Sequence, residues 1–168
     1  QISVDDTAIE RALRFLVQSA VQPEPARSSV SYAVRRHNGA YKISREGAVV
    51  DVQFDPPGVL DQVYKRVQLD ALAAWPEAAV LRAVTGRQRG ERFLVVGGLP
   101  WDRSRLALHL LNLGVDVEGD DLAILHEGVI TAYPRPLRVC GVDAALPPGA
   151  PHRATLPFVG TDLVLGSW

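Results

Sequence analysis

Apolar residues recur at helical spacing twice in the first half of the chain. Over residues 5 to 20, Ile9, Leu13, Leu16 and Ala20 fall along one stripe, which predicts an amphipathic helix. Thr7 and Glu10 stand in the T-x-x-E arrangement of a capping box, which satisfies exposed backbone donors at a helix start. A second stripe, Leu60, Tyr64, Val67 and Ala71, follows Asp55-Pro56-Pro57 and stops before Pro76, predicting a second helix. Between them, residues 30 to 54 break into short β-rich runs at Asn38-Gly39 and Glu46-Gly47. Asn-Gly is the stronger hairpin signal of the two. The segment 22 to 29, QPEPARSS, reads as a linker, because Pro23 and Pro25 oppose continued helix.

The second half has a different rhythm. Residues 79 to 85 form a short apolar run, 86 to 90 a charged turn, and 93 to 96 a second apolar run without alternation. Such a run suits a strand buried on both faces of a mixed or parallel sheet. A helix is expected from 104 to 113, ended by Gly114 as a left-handed cap. Strands at 122 to 125 and 129 to 133 pair across His126-Glu127-Gly128. The tail, 141 to 168, is rich in proline and glycine; PPGAP at 147 to 151 reads as loop and 162 to 165 as a last short strand. The pattern as a whole is α/β. It divides into an N-terminal α+β extension (helix, hairpin, helix) over 1 to 76 and a core over 77 to 168.

Composition narrows the function classes. Apolar residues make up 47% of the 168 residues, enough for a hydrophobic core. The 18 basic and 19 acidic residues leave a net charge of −1, without the basic excess of a nucleic-acid binder. No apolar run approaches the roughly 20 residues of a membrane helix, so cytoplasm is the default compartment. Cys140 is the single cysteine, which removes an intrachain disulfide framework; it reads as a small apolar residue. His37, His109, His126 and His152 share no metal-ligand spacing, and no G-x-S-x-G elbow supports a hydrolase. Arg87, Arg89 and Arg92 read as turn arginines. Trp101 reads first as core packing and second as an interface anchor.

The chemistry concentrates between 93 and 139. Gly97-Gly98-Leu99-Pro100-Trp101-Asp102-Arg103-Ser104 has the length and placement of a phosphate-binding loop, G-x-x-x-x-G-K-[ST]. In such a loop backbone amides and a helix N-terminus surround phosphates, the lysine offsets their charge, and the hydroxyl ligates magnesium. Gly97 and Ser104 fit that pattern. Asp102 replaces the second glycine and Arg103 the lysine, while Pro100 removes an amide donor. Asp102 adds bulk and negative charge where a phosphate would sit, and a planar guanidinium does not replace a compact ammonium. Taken alone, Asp102 reads as an N-cap for the following helix.

Downstream residues add to this. Leu106-Ala107-Leu108, Leu110-Leu111, Gly114, Gly119-Asp120-Asp121 and Pro134-Arg135-Pro136-Leu137 occur in an order that resembles the HPr kinase/phosphorylase superfamily, especially its shorter HPr-kinase-related branch. The resemblance spans roughly 81 to 139 and extends loosely over the N-terminal half. It implies a P-loop-like mixed sheet with flanking helices, like the C-terminal domain of HPr kinase. It also implies a nucleotide site at Gly97, Gly98, Arg103, Ser104 and Arg135. In an active member Asp120 and Asp121 would be the catalytic carboxylates, and where Mg-nucleotide binds Ser104 with Asp120 the magnesium ligands. Arg82 stands where family members often carry a histidine. With Arg82, Asp102 and Arg103 all changed, the resemblance implies a catalytically degenerate domain that binds a protein or peptide and needs no cofactor. Self-association stays open, since full HPr kinases are oligomeric. One alternative is a divergent Mg-ATP-dependent serine kinase using Arg103, Ser104 and the Asp120/Asp121 pair. Another is an anion or small-ligand binder that reuses the phosphate pocket.

Overall fold

The computed structural model describes residues 1–17 and 30–133, and the backbone of three strands beyond them. The expected linker at 22 to 29, Arg135, Cys140, His152 and the loop at 147 to 151 lie outside the described residues. The chain is α/β, with one mixed sheet, two antiparallel sheets and three helices among the described residues. It divides into two compact units, Gln1–Pro76 and Glu77–Trp168. No helix among the described residues is long and apolar enough to cross a membrane.

The first unit runs β1 (Ile2–Val4), α1 (Thr7–Val17), β2 (Tyr32–His37), β3 (Ala40–Arg45), β4 (Ala48–Gln53) and α2 (Pro56–Ala73). Its sheet has the order β1-β2-β3-β4. β1 lies parallel to β2, and the two hairpins are antiparallel. The register places Val34 opposite Ile43, both fully buried, and Arg35 opposite Lys42 on the exposed face. Helices α1 and α2 pack together and bury Ile9, Leu13, Val59 and Val63. Asn38 and Gly39 both have positive φ, 50° and 78°, the geometry a tight two-residue hairpin requires. Two helix starts differ from expectation. Asp6, not Thr7, caps α1, accepting from Ala8 N–H at 3.0 Å and Ile9 N–H at 3.2 Å. Asp55 caps α2 by accepting from Gly58 N–H at 2.7 Å. Pro56 and Pro57 therefore sit inside the helix's first turn, where proline loses no bond.

Polar side chains fasten α2 to the strands. Asp70 accepts from the Tyr32 hydroxyl at 2.5 Å and from Arg45 Nε and Nη2 at 2.9 and 3.0 Å. The Arg45 guanidinium holds the Asp70 carboxyl below its ordinary range. Burial, with the bond to Asp70, pushes the Tyr32 phenol up. Arg66 likewise donates to Asp51 at 3.0 Å and to the Val50 carbonyl at 3.1 Å.

The second unit contains β5 (Ala79–Gln88), β6 (Glu91–Val96), α3 (Pro100–Asn112), β7 (Asp116–Gly119), β8 (Leu122–His126) and β9 (Val129–Ala132). β10 (Leu137–Val139), β11 (Arg153–Thr155) and β12 (Asp162–Val164) form a separate antiparallel sheet. The main sheet runs β6-β5-β8-β9, with β7 also paired to β5. Every pairing in it is antiparallel. This corrects the expected strand at 93 to 96: β6 is an edge strand, not one enclosed in a parallel or mixed sheet. Its apolar run leaves Val95 43% and Val96 60% exposed. The charged turn also contracts, because β5 continues to Gln88 and only Arg89-Gly90 turn. Helix α3 packs on β5 and β7 and buries Ala107 and Leu108 against Val84 and Val117.

Candidate functional site

The end of β6 delivers the chain into Gly97 and Gly98, with φ values of 98° and 73°. A side chain would be strained at both positions. At Gly97 that is a demand of conformation rather than space, since nothing lies within 4 Å of where a Cβ would be. Leu99 is the extended residue before α3, and Pro100 opens the helix, four residues earlier than the expected start at 104. Asp102 is therefore not the N-cap. It occupies the third helical position and accepts from the Leu99 N–H at 3.3 Å. The amide of Gly97 is bonded to the Arg82 carbonyl at 2.9 Å. Of the loop's backbone donors, Gly97 and Leu99 are thus engaged by the protein, and Pro100 supplies none.

Arg103 and Ser104 lie on the same inner side of α3 as Ala107 and Leu108, and both are buried. Only 5% of Arg103 is exposed. Its Nη1 donates to the Gly98 carbonyl at 2.5 Å and its Nη2 to Asp121 Oδ1 at 2.6 Å. A buried charge is tolerable only when paired and hydrogen-bonded; these contacts pair the charge, while Nε stays buried without a hydrogen bond. The other oxygen of Asp121, Oδ2, accepts from Arg82 Nη1 at 2.6 Å. One carboxylate is thereby held between a buried guanidinium and one whose side chain is 62% exposed. Next to it, Ser104 Oγ donates to Asp120 Oδ2 at 3.2 Å, with Asp120 1% exposed.

The acidic pair is positioned by the sheet. Asp120 and Asp121 form the bend between β7 and β8, both of which pair with β5. The Asp121 carbonyl accepts from Ala83 N–H at 2.9 Å. Loop, helix start, β5 and acidic bend are therefore cross-linked by side chains at 82, 103, 104, 120 and 121. Gly97, Gly98, Arg103, Ser104, Asp120 and Asp121 all meet in this region. Arg135 lies outside the described residues.

Two features were not expected from the sequence. Arg87 and Arg92 are strand residues sharing one carboxylate, not turn arginines. Arg87 Nε and Arg92 Nη2 donate to Glu118 Oε1 at 2.7 and 2.8 Å, and Arg92 also donates to the Ile130 carbonyl. Burial pushes the Glu118 carboxyl up, but Arg92 and Arg87 together outweigh it and hold the group below its ordinary range. The other feature is an open depression of about 390 Å³, lined in part by Arg89, Leu113 and Asp116. It lies at the C-terminal end of α3, away from the loop. Trp101 is 53% exposed beside Leu99 at 52%, which corrects its reading as core packing. No protein-family model, curated protein or solved structure matches the chain.

Proposed function

We propose that this chain is a catalytically silent, HPr-kinase-like P-loop domain that works in the cytoplasm by binding a protein or peptide. The observation that carries this reading is the buried Arg103, bonded at once to Gly98 and to Asp121. In a working phosphate loop the loop backbone faces phosphate oxygens and the carboxylate serves metal or proton transfer. Here the loop carbonyl and the carboxylate are both engaged by one guanidinium, and Arg82 engages the carboxylate a second time. The residues present do not fit a magnesium triphosphate. Asp102 adds negative charge at the helix start, Leu99 N–H is bonded to it, and Pro100 has no amide to offer. Titrating the chain with Mg-ATP and Mg-GTP by calorimetry is expected to give no binding.

A second reading has one observation in its favour. Ser104 and Asp120 remain 3.2 Å apart and buried, the donor pair a divergent kinase would use for magnesium. It requires phosphate transfer to a protein hydroxyl that disappears in Asp120→Asn. Absence of labelled product from the unaltered chain would remove it.

A further inference from the structure

We propose that Asn38 is a site of spontaneous modification, where the chain converts its own asparagine to aspartate and isoaspartate. Four turns of like geometry frame the site. Asn38-Gly39, Glu46-Gly47, Arg89-Gly90 and Glu127-Gly128 each join two antiparallel strands, and both residues of each have positive φ, between 50° and 85°. These are tight two-residue hairpin turns, and they differ in the first side chain. Among them only Asn38 carries a carboxamide on which the next nitrogen can close a succinimide ring. Arg89 has no carbonyl to attack, and Glu46 and Glu127 carry a carboxylate one methylene further out. The chain's other asparagine, Asn112, ends α3 and precedes Leu113, whose side chain crowds the attacking nitrogen as no glycine does.

The surroundings leave the reaction open. Both turn residues are exposed, and nothing lies within 4 Å of where a Gly39 Cβ would be. Neither the Gly39 N–H nor the Asn38 carboxamide has a hydrogen-bond partner among the described residues. A left-handed residue holds the following nitrogen away from its own side chain, so the Asn38 carbonyl must first swing round. That motion asks the hairpin tip alone to open, and exposed tips open at little free-energy cost. The Gly39 nitrogen then bonds to Asn38 Cγ as the Cγ–Nδ2 bond breaks, and ammonia leaves with the amide proton. One water opens the ring. Opening at Cγ gives aspartate; opening at the main-chain carbonyl gives isoaspartate, whose peptide bond runs through the side chain. Water is the one co-reactant, and nothing is oxidised or reduced. Aspartate suits the turn, because it tolerates the left-handed region. Isoaspartate adds a methylene to the main chain between β2 and β3. That breaks the two-residue turn which sets Val34 opposite Ile43, both fully buried.

The test incubates the 168-residue chain in mildly alkaline buffer at body temperature, with and without sucrose. Trypsin then releases residues 37 to 42, HNGAYK, for mass spectrometry. A synthetic peptide of that sequence, incubated alongside, supplies the rate without a fold. Steady loss of the asparagine form is expected, to two products each heavier by the exchange of NH for O. The peptide that carries Asn112 is expected to stay unchanged. Sucrose stabilises the whole fold and is expected to leave the rate unaltered, because opening a tip exposes little surface. The chain enriched in isoaspartate is expected to unfold at a lower urea midpoint than Asn38→Asp, which keeps the turn. Asparagine that survives at 38 while the synthetic peptide converts would overturn the proposal. So would equal loss at Asn112, or a rate that falls in step with the stability sucrose adds, since conversion would then require global unfolding. Equal midpoints for the isoaspartate form and Asn38→Asp would overturn the assigned break in the turn.

Discussion

Removing the Arg103 side chain takes a donor from the Gly98 carbonyl and takes from Asp121 the more buried of its two guanidinium partners. Breaking a buried ion pair from one side destabilises by about 3–5 kcal/mol. Because Arg82 still holds Asp121, Arg103→Ala is expected near the lower end of that range. Arg82→Ala removes an exposed partner of the same carboxylate, and exposed pairs contribute about 0–1 kcal/mol. Urea denaturation of the two variants separates these roles; equal losses would contradict the assigned burial. Acid stability follows from other carboxylates. Asp70, Asp51 and Glu118 have folded pKa values below their ordinary ones, through Arg45, Arg66, and Arg92 with Arg87. Depressed carboxylates contribute stability above their unfolded pKa, about 4, and lose it as pH falls through the folded value. The thermal midpoint is therefore expected to hold down to about pH 5 and to drop below pH 4. Asp70→Asn is expected to flatten that drop. The two arginine contacts of Asp121, on which the proposed function rests, were not legible in the sequence. Arg82 and Asp121 lie 39 positions apart and Arg103 and Asp121 lie 18 apart. Their meeting depends on the register of β5 against β8, which local patterns do not reveal.

Whole elements were more readable, and their failures have physical causes. The hairpins of the first unit follow from Asn38-Gly39 and Glu46-Gly47, whose positive φ angles match the twist of paired strands. The two helices of that unit follow from apolar periodicity. β1 and β7, three and four residues long, are too short to show alternation. The apolar run of β6 implied enclosure, but composition does not distinguish a central strand from an edge strand with exposed valines. α3 begins at Pro100 rather than at the expected 104, because proline is favoured at a first helical position. Gly86 gives an element-scale prediction. A Cβ there would lie 2.6 Å from the Asp116 carbonyl and 2.7 Å from the Phe93 ring, so it would push β5 against β6 and β7. Gly86→Ala is expected to cost about 1–3 kcal/mol, read as a lower urea midpoint. An unchanged midpoint would show that this packing is looser than described.

At the scale of the molecule, each of the two units has its own sheet and helix packing, and the loop chemistry lies in the second. That unit has a glycine turn, a helix and an acidic bend in succession, and the side chains at 82, 103, 104, 120 and 121 bond to this same region. On the proposed reading, binding at a surface takes the place of phosphoryl transfer. Calorimetric titration with Mg-ATP and Mg-GTP, on the unaltered chain, tests this most directly. No heat of binding is expected from either nucleotide. Saturable binding at micromolar concentration would contradict the account, because Arg103 would then have to release Gly98 and Asp121 to admit a triphosphate.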